Sequence, residues 1–161
     1  MGRRPFGKLR TRILADDRFA IGNDLKGFWF IIFCWISMLH GEITDKILRA
    51  YFTVYNELGY GFSEKVYENA MCKEMHLLGL EPSKQLPIKV FYRGEVVGEF
   101  FADILVNNTV IIELKACTVL HEDHEHQLMN YLKATDAEVG LLLNFGKKPE
   151  FKRKVFSNRE K

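Results

Sequence analysis

The sequence contains little cysteine and no long apolar run. Its three cysteines, Cys34, Cys72 and Cys117, form no Cys-x-x-Cys pair, so we interpret them as reduced thiols and expect a cytoplasmic protein. The longest apolar run, residues 28–39, has twelve residues, whereas a membrane-spanning helix needs roughly 20. We therefore do not expect a membrane protein. A glycine-rich phosphate loop and internal repeats are also missing.

The net charge of +2 conceals an uneven distribution. Residues 1–26 carry a balance of +4 and residues 147–161 one of +5, which leaves −7 for residues 27–146. An acidic middle cannot attract nucleic acid by bulk charge. If nucleic acid is the partner, binding needs metal ions, local basic groups or the basic ends of the chain.

Residues 1–40 form a basic and apolar extension before the first regular pattern. Three interpretations stay open: a helix packed on the domain, a membrane-surface anchor, or a segment outside the natural protein. The third is attractive because Met38 directly precedes the first clear helix and is a candidate initiator. We expect the domain itself to span residues 41–149, with a basic, mobile tail over residues 150–161.

Apolar periodicity from residue 43 onward predicts an α+β domain. The predicted elements are helices over residues 43–58 and 63–78, strands over 85–92, 96–106 and 110–116, a helix ending near residue 135, and a strand over 138–144. Short connections make the first three strands antiparallel neighbours. The last strand is almost wholly apolar, which is typical of a strand that is buried on both faces and parallel to its neighbour.

Three charges, Asp103, Glu113 and Lys115, interrupt the second and third strands. Such charges are costly in a buried sheet unless they are paired or bind a metal. A two-residue turn at Asn107 and Asn108 would place the two acids on opposite faces, whereas a three-residue loop or a bulge places them on one face. A shared metal site therefore predicts the three-residue loop or the bulge.

Neighbouring helices offer further polar candidates. Glu64 and Glu68 share one face of the second helix, and Gln127 and Tyr131 share one face of the third. Taken alone, each pair is explained more simply by a solvated helix surface. The histidines of residues 121–126 lack the four-residue spacing typical of helical zinc sites, so we favour a polar helix start over a metal site.

In order along the chain, these features resemble the PD-(D/E)XK nuclease superfamily. Asp103 followed by Glu113-Leu114-Lys115 resembles its central motif, although Ala102 stands where the superfamily has proline. Gln127 and Tyr131 match the Gln-x-x-x-Tyr motif of its RecB-like branch. The segment Gly61-Phe62-Ser63-Glu64-Lys65-Val66-Tyr67 resembles the signature of the GxxExxY proteins, a bacterial family of this superfamily that is largely uncharacterised.

The resemblance implies a restriction-endonuclease-like core, a mixed sheet flanked by helices. It also implies Mg²⁺, or Mn²⁺, bound by Asp103, Glu113 and the Leu114 carbonyl, with Glu64 assisting and Glu68 as the next candidate. Lys115 would orient or deprotonate water and stabilise charge, while Gln127 and Tyr131 would hold the phosphate backbone or steady the site.

The implied function is magnesium-dependent hydrolysis of phosphodiester bonds, with DNA favoured over RNA and without an organic cofactor. One alternative is a catalytically silent module on the same fold that binds nucleic acid or protein. Others are a scaffold anchored by the apolar run and a purely structural ion-pair network. A homodimer also stays open.

Overall fold

The computed structural model describes residues 39–160. The expectations for the N-terminal extension and for Met38 lie outside these residues. Residues 39–160 form three α-helices, five strands and a short 3-10 helix at Asn158–Glu160. The α-helices and strands are α1 (Gly41–Leu58), α2 (Glu64–Leu77), β1 (Pro82–Tyr92), β2 (Glu95–Val106), β3 (Val110–Lys115), α3 (Glu122–Ala134), β4 (Val139–Phe145) and β5 (Pro149–Val155). The predicted α+β class is confirmed.

The strands form one mixed sheet in the order β1-β2-β3-β4-β5. The pairs β1/β2, β2/β3 and β4/β5 are antiparallel, while β3 and β4 are parallel. Helix α3 connects the two parallel strands, as a crossover must. The predicted antiparallel group and the predicted parallel strand over residues 138–144 are therefore confirmed.

The sheet lies between two helical layers. On one face, α1 and α2 pack against alternate residues of β3 and β4, including Ile112, Leu114 and Leu141. On the other face, α3 packs against Ile111 and Leu142. Because β3 and β4 are covered on both sides, their sequences are nearly continuous apolar runs. Glu113 is a charged residue in that buried pair, and its side chain belongs to the α3 side by alternation.

The C-terminal segment differs from the expected mobile tail. Residues 149–155 form β5, which pairs with β4 over its whole length, from Phe145–Pro149 to Val139–Val155. On β5, Lys154 is 7% exposed and its Nζ lies 2.6 Å from Glu125 Oε2 of α3. The basic composition of this segment thus conceals a sheet strand, and the expectation of a mobile tail was wrong for residues 150–155.

Among residues 39–160, no helix has the length and apolarity that crossing a bilayer requires. The free thiols in the same range are those of Cys72, which is buried, and Cys117, which is partly buried.

Candidate active site

The β2–β3 connection sets the register of the site. Its loop has three residues, because Val106 pairs with Val110 and Ile104 with Ile112. Asn107 and Asn108 both adopt positive φ angles, 50° and 55°, a conformation that asparagine tolerates better than most residues. The paired residues end at Ile104 and Ile112, one position before Asp103 and Glu113, and the hydrogen bond from the Leu114 N–H to Asp103 Oδ2 joins the two strands there. The predicted three-residue loop is confirmed.

Asp103 is tied to the neighbouring strand through its carboxylate. Its Oδ2 accepts a 2.7 Å hydrogen bond from the backbone N–H of Leu114. Burial raises the pKa of Asp103 above its usual value, although this hydrogen bond and the charge of Lys115 oppose the shift. The carboxylate is therefore fixed between the positions of Glu113 and Lys115.

Glu113 is the most unusual ionisable group of the hairpin. The residue is 3% exposed, its Oε1 accepts a 2.7 Å hydrogen bond from Lys115 Nζ, and its buried Oε2 has no partner among residues 39–160. Burial, reinforced by the charge of Asp103, raises the pKa of Glu113 from 4.5 to about 7. A buried acceptor without a donor is costly, so this oxygen is suited to a bound cation.

Lys115 lies at the end of β3, beside both acids. Burial alone would lower the pKa of its ammonium, but the hydrogen bond from Lys115 to Glu113 and the charges of Glu113, Glu64 and Asp103 raise it overall. The side chain is 15% exposed. Lys115 thus remains a cation at neutral pH with access to the surface of the site.

The first turn of α2 brings Glu64 to the end of β3. Glu64 is exposed, and its Oε1 accepts a 3.3 Å hydrogen bond from the Ala116 N–H. The loop before α2 is held by Tyr67, whose hydroxyl donates to the Gly59 carbonyl (2.9 Å) and accepts from the Phe62 N–H (3.2 Å). Glu64 therefore contacts the end of β3, while Tyr67, three residues later, fixes the loop that precedes the helix.

Glu68 lies one turn further along α2 and is buried, at 3% exposure. Its Oε1 accepts from Lys65 Nζ at 2.6 Å and its Oε2 accepts from Gln85 Nε2 at 2.8 Å, while Lys84 Nζ lies 3.8 Å from Oε1. Both oxygens are thus bound by donors from α2 and β1, which join the helix to the sheet.

Gln127 and Tyr131 form a hydrogen-bonded pair on α3. Gln127 Nε2 donates to the Tyr131 hydroxyl at 2.6 Å, and that hydroxyl lies 3.4 Å from the Phe101 carbonyl, two residues before Asp103. Burial raises the pKa of Tyr131, the bond from Gln127 opposes the shift, and the charges of Glu113, Lys115 and Asp103 also act on it. The pair therefore borders the acidic site.

The histidines form no metal cluster in the described part of the chain, where no three His, Cys, Asp or Glu side chains are grouped as a ready ligand set. His124 Nδ1 instead accepts from the His121 N–H at 3.3 Å. Burial and the nearby Lys115 charge lower the pKa of His124. A cation at the hairpin would consequently need backbone or solvent ligands besides the carboxylates, as Mg²⁺ commonly does.

The sequence analysis did not single out Asn144, which is 1% exposed at the end of β4. Its side chain accepts from the Cys117 N–H at 3.1 Å and donates to the Cys117 carbonyl at 3.0 Å. It thereby fixes the segment that follows Lys115. A polar residue closing an apolar run was the signal that could have revealed it.

A family model for the PD-(D/E)XK nuclease superfamily matches residues 41–154. This chain belongs to that superfamily. No curated protein matches the sequence. Among solved structures, SSO0001 is similar, with 16% identity, a TM-score of 0.45 and an alignment that covers 72% of this chain and 59% of the other. The superfamily match ends inside β5, so it includes most of the strand that we had expected to be a tail.

Superfamily membership gives the hairpin a nuclease-type context. The structure brings together Asp103, Glu113 and Lys115 on adjacent strands, with Glu64 reaching them from α2. Gln127 and Tyr131 lie at the border, and Glu68 is bound by α2 and β1 side chains. Ala102, at the proline position of the motif, is buried and pairs with Leu86 of β1.

Proposed function

We propose that the protein is a magnesium-dependent nuclease that hydrolyses phosphodiester bonds. The observation that carries the proposal is the Glu113 carboxylate, which is buried beside a second acid and leaves Oε2 without a donor among residues 39–160. Such an arrangement is unfavourable for stability alone, because a buried carboxylate is costly unless its charge and its oxygens are compensated.

The donor set fits a hard divalent cation. Asp103 and Glu113 would supply carboxylate oxygens, the Leu114 carbonyl is the third proposed ligand, and Glu64 on α2 is proposed to assist. Mg²⁺ keeps several waters in protein sites and needs few side chains, which agrees with an incomplete cluster. When bound, Mg²⁺ or Mn²⁺ would polarise the phosphate and make water more acidic.

Lys115 is the proposed charge-stabilising residue. Because its pKa is raised, the ammonium stays protonated at neutral pH. It therefore orients water and stabilises the developing negative charge at the phosphate, rather than removing a proton. Its 2.7 Å contact with Glu113 holds Nζ in place before substrate arrives.

Gln127 and Tyr131 are proposed to position the phosphate backbone. The raised pKa of Tyr131 keeps its hydroxyl protonated and able to donate. We propose this role because Gln127 and Tyr131 match the motif of the RecB-like branch. The segment from Gly61 to Tyr67 likewise resembles the signature of the GxxExxY proteins. Both finer affiliations, a bacterial source, the preference for DNA and the cytoplasmic location are parts of our proposal.

The direct test is a cleavage assay on single-stranded and duplex DNA and RNA, with Mg²⁺, Mn²⁺ or a chelator. We expect cleavage with either metal and none with the chelator. Lys115→Ala and Asp103→Ala should abolish it, whereas Lys73→Ala, an exposed lysine on α2, should retain it. Activity that survives both site substitutions would reject the mechanism.

One observation favours a catalytically silent binding module instead. Glu113 Oε1 and Asp103 Oδ2 are both engaged by donors of the chain itself. Calorimetric titration with Mg²⁺ or Mn²⁺ separates the two functions. A nuclease binds the metal with a measurable heat, while a silent module shows no binding heat.

Exposed apolar side chains on the β1–β2 hairpin support the homodimer that the sequence left open. Phe91 and Tyr92 are each 62% exposed, and β1 is an edge strand of the sheet. Edge strands with apolar surface readily pair with another copy. Sedimentation velocity should show a dimer that Phe91→Ser weakens, and a monomer at all concentrations would exclude it.

A further inference from the structure

The turn between β4 and β5 lies at the same edge of the sheet as the candidate site. Lys115 is the register partner of Asn144 across the parallel pair. After Phe145 come Gly146, Lys147 and Lys148. With strands about 4.8 Å apart and a rise of about 3.3 Å per residue, the turn begins about 8 Å from Lys115.

Two tyrosines of α1 hold this turn. The Tyr55 hydroxyl lies 3.0 Å from the carbonyl oxygens of both Gly146 and Lys147. The buried Tyr51 hydroxyl lies 2.6 Å from the Asn144 carbonyl and 3.2 Å from that of Glu150. The backbone on both sides of the two lysines is therefore fixed to the helix, which is unusual for an exposed turn.

The turn is also joined to the segment that leaves the site. A Cβ added at Gly146 would lie 2.2 Å from the Cys117 carbonyl oxygen, so only glycine permits this approach. The Asn144 side chain bonds both the N–H and the carbonyl of Cys117. Lys147 and Lys148 consequently hold a set position relative to Lys115, two residues before Cys117.

The charges of this turn are available for a partner. Lys147 and Lys148 are exposed, and in the part of the chain that the structure describes neither forms an ion pair with a carboxylate. On β5, by contrast, Lys154 contacts Glu125 at 2.6 Å. Residues 27–146 carry a balance of −7, so this turn supplies the positive charge that a polyanion would need near the site.

We propose that Lys147 and Lys148 bind backbone phosphates of a nucleic-acid strand whose reacting phosphate lies at Glu113 and Lys115. This inference rests on the proposed nuclease function and extends it to a strand path, from the end of β3 across the end of β4 to the β4–β5 turn. Tyr55 is a positioning residue in this arrangement, since it holds the turn without reaching the strand.

The test measures binding of a fluorescent 20-nucleotide DNA, single-stranded and duplex, to the full chain with Ca²⁺ replacing Mg²⁺. Lys147→Ala/Lys148→Ala should weaken binding at least about tenfold near 0.1 M salt. Loss of two phosphate contacts should also reduce the slope of log K against log salt by about 1.4 for single strands and about 1.8 for duplex.

The matched control is Lys73→Ala/Lys133→Ala, which removes the same charge from exposed positions of α2 and α3. Its salt slope should equal that of the wild type. Equal losses in both double variants would show a bulk-charge effect and overturn the inference, as would an unchanged slope in the turn variant. An intact KM for cleavage in the turn variant would overturn it while leaving the nuclease function standing.

Tyr55→Phe is an independent test because it keeps both lysines and removes the hydroxyl that bonds the Gly146 and Lys147 carbonyls. Binding should weaken by about 2- to 10-fold, which corresponds to the ordering of one or two side chains. Wild-type affinity in this variant would overturn the positioning role. If the wild-type protein cleaves nothing with any metal, the nuclease function fails, and the binding assay still decides the role of the lysines.

Discussion

Asp103 Oδ2 accepts a 2.7 Å hydrogen bond from the Leu114 N–H. Leu114 lies between Glu113 and Lys115, so this bond fixes the acid of β2 against the two charged residues of β3. Its donor is a backbone N–H. The geometry of the site thus depends on strand pairing and not only on side-chain rotamers.

Replacing Glu113 by glutamine should stabilise the metal-free protein at alkaline pH. The pKa of Glu113 is raised from 4.5 to about 7 in the folded state. Between about pH 4.5 and pH 7, the folded state therefore binds more protons than the unfolded state. The free energy of unfolding falls as pH rises through this range. At pH 8, Glu113→Gln should raise the free energy of unfolding by about 1–3 kcal/mol, with almost no difference at pH 4.

Denaturant unfolding at the two pH values is the measurement. Glu125→Gln is an instructive contrast, because it removes the partner of buried Lys154 and should destabilise the protein by about 1–3 kcal/mol at pH 8. A lower stability of Glu113→Gln at pH 8 would contradict the conclusion that burial makes the ionised form of Glu113 unfavourable.

Metal binding should be linked to proton release. A cation requires the ionised Glu113 carboxylate, so Mg²⁺ must displace a proton where that group is protonated, below about pH 7. The apparent affinity should rise with pH up to about 7.5 and then level off. Titration calorimetry in two buffers of different ionisation enthalpy should give about one proton released near pH 6 and almost none at pH 8.5.

The same linkage predicts that Glu113→Gln abolishes the proton release and weakens Mg²⁺ binding. A binding heat that is independent of buffer at pH 6 would disprove the linkage.

The two glutamates of α2 should respond in opposite ways to replacement by glutamine. Glu64 is exposed, so Glu64→Gln should change stability by less than about 0.5 kcal/mol and weaken Mg²⁺ binding and cleavage. Glu68 is buried and bound by Lys65 and Gln85, so Glu68→Gln should cost about 1–3 kcal/mol and leave the metal affinity intact. Thermal unfolding and calorimetry on both variants provide the comparison, and a larger loss of affinity in Glu68→Gln would transfer the ligand role to Glu68.

Truncation after Lys148 should destabilise the domain severely. It removes β5 and exposes the edge of β4, whose residues are all buried. We expect a loss of more than about 3 kcal/mol, from several backbone hydrogen bonds and the packing around them. A truncation after Ser157, which keeps β5, should cost less than about 1 kcal/mol. Urea unfolding of both chains distinguishes a strand from a dispensable tail.

The sequence predicted the hairpin well because its pattern is local. The apolar pattern predicted where the two strands begin and end. The requirement that Asp103 and Glu113 share a face then predicted the three-residue loop from Asn107 to Thr109, which the structure contains. The parallel strand ending at Phe145 was also predictable, since a run buried on both faces has no polar alternation.

The strand β5 was missed because its evidence is not local. Phe151 and Val155 are separated by three consecutive basic residues, so apolar alternation does not mark a strand here, and five of the last ten residues are basic. What neutralises Lys154 is Glu125, 29 positions earlier in the sequence. Prediction of the site from the sequence was limited for the same reason. The contacts of Glu68, Asn144 and Tyr55 depend on which segments meet in space.

The three-residue loop from Asn107 to Thr109 has a consequence for how this protein can vary. Surface loops usually tolerate insertions and deletions, and the residues of this loop can change wherever a positive φ angle is tolerated. Its length cannot, because one residue more or fewer would turn Asp103 to the other face of the sheet. Related chains that keep the chemistry should therefore differ freely in the composition of this loop and agree in its length.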